Sequence, residues 1–469
     1  MAPLLIGRIL RPASLPANRT PLGPLLCVLL ATAAAAFPSS QAAFASASNR
    51  RASSVASAGM GRRPLPSSSA ADAAASKSEA GGGPSAPSSP LPTTWDGLDA
   101  RASALRRIVP PLASNLHKGT GGRIAVLGGS ARYAGAPYYA ALSALRAGCD
   151  LATVYCAAEA AVPIKSYSPE LMVDPVYSAK AFDGLVEEEA RLVEEEAMGR
   201  PEASSELAGI RAEQDRLVSR MVSSVAPALD RLHCLVVGPG LGRCPLVMRA
   251  AAAIVSEARS RGLPLVLDAD GLHMLTLPEH RDLVAGYQGC VLTPNAMEAR
   301  KLEQALGGGA EDGNTDRDGN GGAAGEGRRS SFERATEGVV VVRKGAEDEI
   351  SWWCEQPEVG QPASARRSAM RCEEPGGLKR SGGIGDILAG CIGAFSAWHL
   401  ILSKPKSLPA DDLVLGCWAA CCITKRATRS AFEDKRRGMT APDVLERLVR
   451  TVDEMTAESI RLDDDRAGE

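Results

Sequence analysis

Asp386 follows Gly382, Gly383 and Gly385 and runs into Ile387-Leu388-Ala389-Gly390-Cys391-Ile392-Gly393-Ala394-Phe395, an apolar stretch that predicts a buried helix. Glycines let another molecule reach the backbone. A helix N-terminus adds unpaired N–H groups and the positive end of a dipole, which suit a phosphate. A carboxylate beside bound phosphate is repelled by it, unless it handles a proton or a cation. The pattern therefore suggests phosphoryl transfer, with glycine N–H groups holding the moving charge and Asp386 drawing a proton from an attacking hydroxyl. A plain glycine turn with Asp386 as N-cap fits the same stretch, so these residues alone leave both readings open.

The elements that must position such a loop recur along the chain. Apolar runs at 124–127, 151–156, 235–237, 263–267, 291–292 and 339–342 predict strands, and the stretches 136–148 and 245–261 predict helices between them. The strands end in Gly128-Gly129-Ser130, Gly238-Pro239-Gly240-Leu241-Gly242, Asp268-Ala269-Asp270-Gly271, Thr293-Pro294-Asn295 and Arg343-Lys344-Gly345. Fully apolar strands alternating with helices indicate an α/β fold whose parallel sheet is covered on both faces. Such sheets bind ligands at the carboxyl ends of their strands, where all of these clusters fall.

Composition narrows the function classes. A net charge of −2 argues against nucleic acid as a partner. Five histidines and twelve cysteines show no zinc spacing, and Cys417, Cys421 and Cys422 read as small core residues of a reduced protein. Residues 1–71 lack Asp and Glu and carry only Arg as positive charge; an apolar run at 25–37 is followed by Ala42-Ala43-Phe44-Ala45-Ser46-Ala47. Residues 1–63 are expected to be a targeting presequence, signal-like and then transit-like, similar to the bipartite plastid presequences of algae with secondary plastids. A secretory signal, a mitochondrial presequence, or a cytoplasmic protein translated from Met60 are the alternatives. Residues 64–94 read as a disordered linker, 95–460 as the folded domain, not embedded in a membrane, and 461–469 as a tail. Insertions are expected near 180–222 (a charged surface helix, or a partner-binding one), 307–330 (a Gly/Asp/Asn-rich loop) and 356–368 (an enlarged hairpin tip).

Taken together, His117-Lys118-Gly119, Gly128-Gly129-Ser130, Tyr133-Ala134-Gly135-Ala136-Pro137-Tyr138, the Gly238 to Arg243 loop, Asp268-Ala269-Asp270-Gly271-Leu272, Asn295-Ala296-Met297-Glu298, Lys344-Gly345 and the Gly382 to Asp386 loop stand in an order that resembles the ATP- or ADP-dependent NAD(P)H-hydrate dehydratases of the ribokinase-like superfamily. The resemblance covers residues 98–455 outside the insertions. It implies a three-layer sandwich around a mostly parallel sheet, and a repair enzyme that phosphorylates the hydroxyl of hydrated NADH or NADPH (NADHX, NADPHX) and eliminates phosphate.

By the same resemblance Asp386 is the base, and Gly382, Gly383 and Gly385 form the anion hole. Lys344, Gly345, Ala346, Glu347, Asp348 and Gly376-Gly377-Leu378-Lys379-Arg380-Ser381, with Ile384, hold the nucleotide. Gly240 and Asn295-Ala296-Met297-Glu298-Ala299-Arg300-Lys301 meet the substrate together with Asp386, and Glu298 faces Mg²⁺ or serves as a capping-box residue. Asp268 is expected to order water or metal near the phosphates, Asp270 to cap a helix or touch ligand, and Tyr138 and Tyr139 to border the pocket or merely pack. ATP is the expected donor, because a complex presequence implies a eukaryote, whose family members use ATP; K⁺ and a homo-oligomer are compatible. No epimerase domain is recognised, so epimerisation of the R hydrate would need a separate protein. Three rivals are a kinase of a small vitamin alcohol, which would differ at the substrate-side motifs His117-Lys118-Gly119 and Gly240, an NAD-dependent oxidoreductase, and a non-catalytic nucleotide-binding protein.

Overall fold

The computed structural model describes residues 93–95, 107–307, 331–356, 364–403 and 410–464, all within one compact unit, Ala86–Glu469. The expected presequence, nearly all of the linker, the loop at 308–330, the hairpin tip at 357–363 and the tail beyond residue 464 lie outside the described residues.

Among the described residues a 9-stranded sheet has the order β3-β2-β1-β4-β5-β6-β7-β8-β9. Its strands are β1 (Arg123–Leu127), β2 (Leu151–Ala157), β3 (Met172–Tyr177), β4 (Cys234–Val237), β5 (Leu265–Leu267), β6 (Cys290–Leu292), β7 (Val340–Arg343), β8 (Asp348–Gln356) and β9 (Ser364–Cys372). Strands β1 to β7 are parallel, and β8 and β9 continue the sheet as an antiparallel hairpin. Alternation within each apolar run divides the core between the two faces. Ile124, Val126, Cys234, Val236 and Val266 belong to one cluster, whereas Ala125, Leu127, Leu235, Val237 and Leu267 belong to the other. The α/β sandwich expected from the sequence is what forms.

The first face is covered by α1 (Gly135–Ala147), α2 (Ala158–Tyr167), α9 (Ile384–Ser403), α10 (Ala410–Lys435) and α11 (Ala441–Asp464). The second carries α3 (Ala179–Ala197), α4 (Ala203–Leu229), α5 (Pro245–Ser260), α6 (Asp270–Met274), α7 (Ala296–Gly307) and α8 (Ser331–Ala335). The charged insertion is the helix pair α3–α4. Arg191, Arg200 and Arg211 form ion pairs with glutamates along it, yet Val218, Met221, Val225 and Leu229 of α4 enter the second core. Helix α9 is long and apolar enough to cross a membrane by composition; its residues from Ile387 to Trp398 are instead buried in the first core. Cys417, Cys421 and Cys422 are core residues, as expected.

Strand register sets the row from which the site is built. Leu127 pairs with Val237, Val237 with Leu267, and Leu267 with Leu292. The next residues in each chain segment, Gly128, Gly238, Asp268 and Thr293, therefore leave the sheet side by side. A topological switch point lies between β1 and β4, since β2 extends the sheet one way and β4 the other.

Candidate active site

Gly238, at φ +118°, is where two of these loops press together. A methyl group there would lie 1.9 Å from the Asp268 carbonyl oxygen and 2.3 Å from the Gly271 nitrogen. Both the backbone conformation and the contact exclude a side chain. Gly238→Ala is expected to cost more than about 3 kcal/mol of stability, measured as a loss of soluble protein or a fall in denaturation midpoint. A variant as stable as the wild type would contradict this packing.

The strained residue beside it is Ala269, a non-glycine at φ 47°, held between Asp268 and Asp270. Asp270 does not cap α6 with its side chain. Its carboxylate instead accepts the Gly242 N–H (2.9 Å) and the Arg243 Nε–H (2.9 Å), tying the Gly238 to Arg243 loop to the β5 end. Asp268 is 2% exposed. Its Oδ1 accepts both the Thr293 hydroxyl (2.8 Å) and Lys344 Nζ (2.7 Å). Protein donors thus engage Asp268 directly, and its Oδ1 holds Lys344 Nζ in place.

Lys344 enters by register as well: it bridges to Asn295 beyond the ends of β6 and β7. Its side chain is 18% exposed, and its Nζ stands 4.0 Å from Glu298. Burial alone would lower its pKa, but Asp268, Glu298 and Asp386 outweigh burial and raise it. Lys344 remains a cation in the site.

Asp386 sits in the first turn of α9. The Gly383 carbonyl accepts the Ile387 N–H (3.0 Å), so Gly383 occupies the cap position and Asp386 lies inside the helix rather than capping it. The helix is driven close to α1 at Gly390, where a methyl group would stand 2.0 Å from the Ala140 carbonyl oxygen. Tyr139 of α1 packs against Gly383, and a methyl there would be 2.7 Å from its ring. Tyr138 packs on Tyr139 and Tyr167. Burial, then the nearby Asp268 charge, pushes the Asp386 carboxyl up to about 7, with Lys344 pulling the other way. A carboxyl poised there suits proton transfer at neutral pH.

Beside Asp386 opens a cavity of about 690 Å³. Lys344, Gly345, Ala346 and Asp348 line one wall; residues 376–381 with Ile384 and Gly385 line another. These are most of the residues expected to hold a nucleotide; Glu347, Gly382 and Gly383 are not on the wall. Helix α10 supplies a third wall that sequence reasoning missed. Lys425 Nζ donates to the Ala346 carbonyl and lies 3.4 Å from Asp348, and Thr428 accepts the Gly377 N–H (3.1 Å). The available signal was a polar stripe, Thr424, Lys425 and Thr428, in a helix otherwise rich in Ala and Cys. Burial, opposed by the Gly345 N–H and Lys425, raises the Asp348 carboxyl.

The stretch 295–301 divides. Asn295 caps α7 by accepting the Met297 and Glu298 N–H groups, and Glu298 accepts the Asn295 N–H at 2.8 Å. This is a reciprocal capping box, the alternative weighed for Glu298. Only Asn295 of the stretch reaches the large cavity. Ala296, Ala299 and Arg300 face a separate recess with Glu347, Met297 is 61% exposed, and Lys301 lies beside His273 and Arg243. Consecutive helical residues are about 100° apart around the axis, which is why the stretch spreads over three recesses and brings only Asn295 to the large cavity.

Gly240 faces Tyr133 and Ala136 at the switch point, away from the large cavity. His117-Lys118-Gly119 does not join the substrate side. Gly119 and Gly121 donate to Asp150, just before β2, and Gly119 packs on Arg123, the first residue of β1. That motif stands at the amino ends of the strands, a strand's length from Gly240. Among the described residues no three His, Cys, Asp or Glu side chains are grouped to hold a metal ion. The carboxylates near Lys344 suit instead a magnesium ion carried mainly by nucleotide phosphates, which needs one or two protein oxygens.

A family model described as NAD(P)H-hydrate dehydratase matches residues 124–450. The ATP-dependent (S)-NAD(P)H-hydrate dehydratase of Neurospora crassa is 35% identical over 347 residues, covering 72% of this chain and 89% of its own. The Homo sapiens protein of the same description is 34% identical over 341 residues, covering 73% and 80%. A solved ADP/ATP-dependent NAD(P)H-hydrate dehydratase from Bacillus subtilis, co-crystallised with ATP/Mg²⁺, is 17% identical with a TM-score of 0.45, covering 76% of this chain and 97% of that one.

Proposed function

Because the chain belongs to the NAD(P)H-hydrate dehydratase family, we propose that it restores NADH and NADPH from their (S)-hydrates with ATP as phosphoryl donor. Hydroxide is a poor leaving group and phosphate a good one, which is why a dehydration consumes a nucleotide. The hydrate hydroxyl attacks the terminal phosphorus of ATP while Asp386 takes its proton, and ADP departs. The C–O bond then breaks with release of phosphate, and loss of a proton from the neighbouring ring carbon restores the double bond.

One observation carries this reading: a carboxyl raised to about 7, at a helix N-terminus beside a cavity walled by glycine loops. The N–H groups of the loop and the dipole of α9 favour the transferred phosphoryl group. Lys344, held by Asp268, balances the charge that accumulates between phosphate and Asp386. Magnesium carried by the nucleotide phosphates would neutralise their charge; Glu298, whose Oε2 closes the capping box on Asn295, stands at the edge of the site and does not line the cavity. A K⁺ requirement and a separate epimerase that supplies the S form belong to the same proposal, as does delivery to a plastid by the Arg-rich, acid-free leader.

The test follows absorbance at the reduced-nicotinamide band with hydrated NADH, Mg²⁺, K⁺ and either ATP or ADP. A rise with ATP is expected. Accumulation of a stable phosphate ester on another alcohol, with no rise, would make the protein a small-molecule kinase instead.

A further inference from the structure

The first described residues of the folded unit connect to the nucleotide cavity through a short chain of buried contacts. Trp95 is 2% exposed and stacks on Trp418 of α10, with ring centroids 5.6 Å apart and planes 20° from parallel. Its backbone N–H donates to Glu374 Oε1 at 2.7 Å, and the Thr93 carbonyl accepts the Glu373 N–H at 2.8 Å. Glu374 is 3% exposed, and the same Oε1 accepts Arg426 Nη2 at 2.9 Å. A buried carboxylate so engaged cannot lose a donor cheaply. Pro375, Gly376 and Gly377 follow at once and line the cavity. Trp418 and Lys425 are two helical turns apart on α10, so the face that receives Trp95 also presents Lys425 to the cavity.

We infer that residues 93–95 are a positioning strap for the nucleotide site: Trp95, through Glu374 and Trp418, holds the segment 373–377 against α10 in the form that receives ATP. This rests on the ATP reading above. The strap does not line the cavity and reaches it only through residues 373–377, so it acts on nucleotide affinity rather than on the chemical step. Coupling of this kind is reciprocal: if the strap orders the nucleotide loop, bound nucleotide must steady the strap.

Two measurements on the full chain test it. Trp95→Ala is expected to raise the KM for ATP about tenfold, with kcat and the KM for the hydrate within about twofold, and Trp95→Phe to restore most of the loss by keeping a stacked ring. A merely structural role would lower the active fraction and the melting temperature and leave both KM values in place, which would overturn the inference. Should Trp95→Ala not fold, hydrogen exchange on the unaltered protein decides. ATP with Mg²⁺ is expected to slow the amides of Trp95 and Glu373 together with that of Gly377. Slowing at Gly377 alone overturns the strap. No slowing anywhere in the 344–348 and 376–385 loops removes the ATP reading itself, and the strap with it.

Discussion

Asp386→Asn is expected to lower hydrate turnover by about three orders of magnitude, to leave ATP binding near its wild-type strength, and to stabilise the folded protein at pH 8. The activity loss follows from removing the only carboxyl in the first turn of α9, since an amide cannot take the hydroxyl proton. The stability gain follows from the cost of the charge. Folding moves this carboxyl from its ordinary 3.8 to about 7, first through burial and then through Asp268. Above pH 7 both folded and unfolded forms are ionised and the native state bears the whole penalty. As pH falls from 7 towards 4 the native carboxyl protonates while the unfolded one stays charged, and the penalty disappears. The Asp386→Asn substitution should therefore add on the order of 2–4 kcal/mol at pH 8 and almost nothing at pH 4. In the wild type, kcat/KM should fall tenfold per pH unit below about 7, as the base protonates. Melting curves at the two pH values and a pH–rate profile check all of this. A variant that keeps a tenth of the activity, or a wild-type profile flat down to pH 5, would remove Asp386 as the base.

The second large effect lies in the pair that tunes it. Lys344 lowers the Asp386 pKa and Asp268 raises it, so replacing either displaces the acid limb of the pH–rate profile, in opposite directions. With Lys344→Met the limb moves above 7 and activity at neutral pH drops. With Asp268→Asn the limb moves below 7, because a like charge is gone and Lys344 is less neutralised. Stability separates the two further. Lys344→Met strands a carboxylate that is 2% exposed, at an expected cost of about 3–5 kcal/mol. Asp268→Asn keeps a hydrogen-bond acceptor for Thr293 and leaves Lys344 facing Glu298 and Asp386, and costs less. Limb position is the decisive readout, since Lys344 also lines the nucleotide cavity and its loss raises the KM for ATP. Displacement of both limbs the same way would show that these groups do not set the Asp386 charge.

The strands, the α/β class and the loops that carry chemistry were legible because strands buried on both faces must be apolar throughout. Their ends then stand out as the places where Gly, Asp and Asn appear. Val236-Val237-Gly238 and Leu267-Asp268 announce themselves in this way. Asp386 was legible for the same reason, as a charge wedged between glycines and an apolar helix. β3 was missed: Pro175, exposed Met172 and Asp174 give an edge strand no continuous apolar run.

The chain by itself determined the strands that are apolar throughout, the two faces of the sheet, and the glycine loop with Asp386 at the start of its helix, because each depends on residues adjacent in sequence. Only the tertiary structure decided which loops meet. Register set Asp268 beside Thr293 and Lys344, strand direction put His117-Lys118-Gly119 at the wrong end for chemistry, and helical rotation took Met297 and Arg300 off the cavity that Asn295 reaches. Helix packing brought Lys425 and Thr428 to the cavity wall and set Glu374 and Trp95 behind it. Those relations are long-range, made by packing between segments as far apart in the chain as Trp95 and Trp418, and no local pattern carries them.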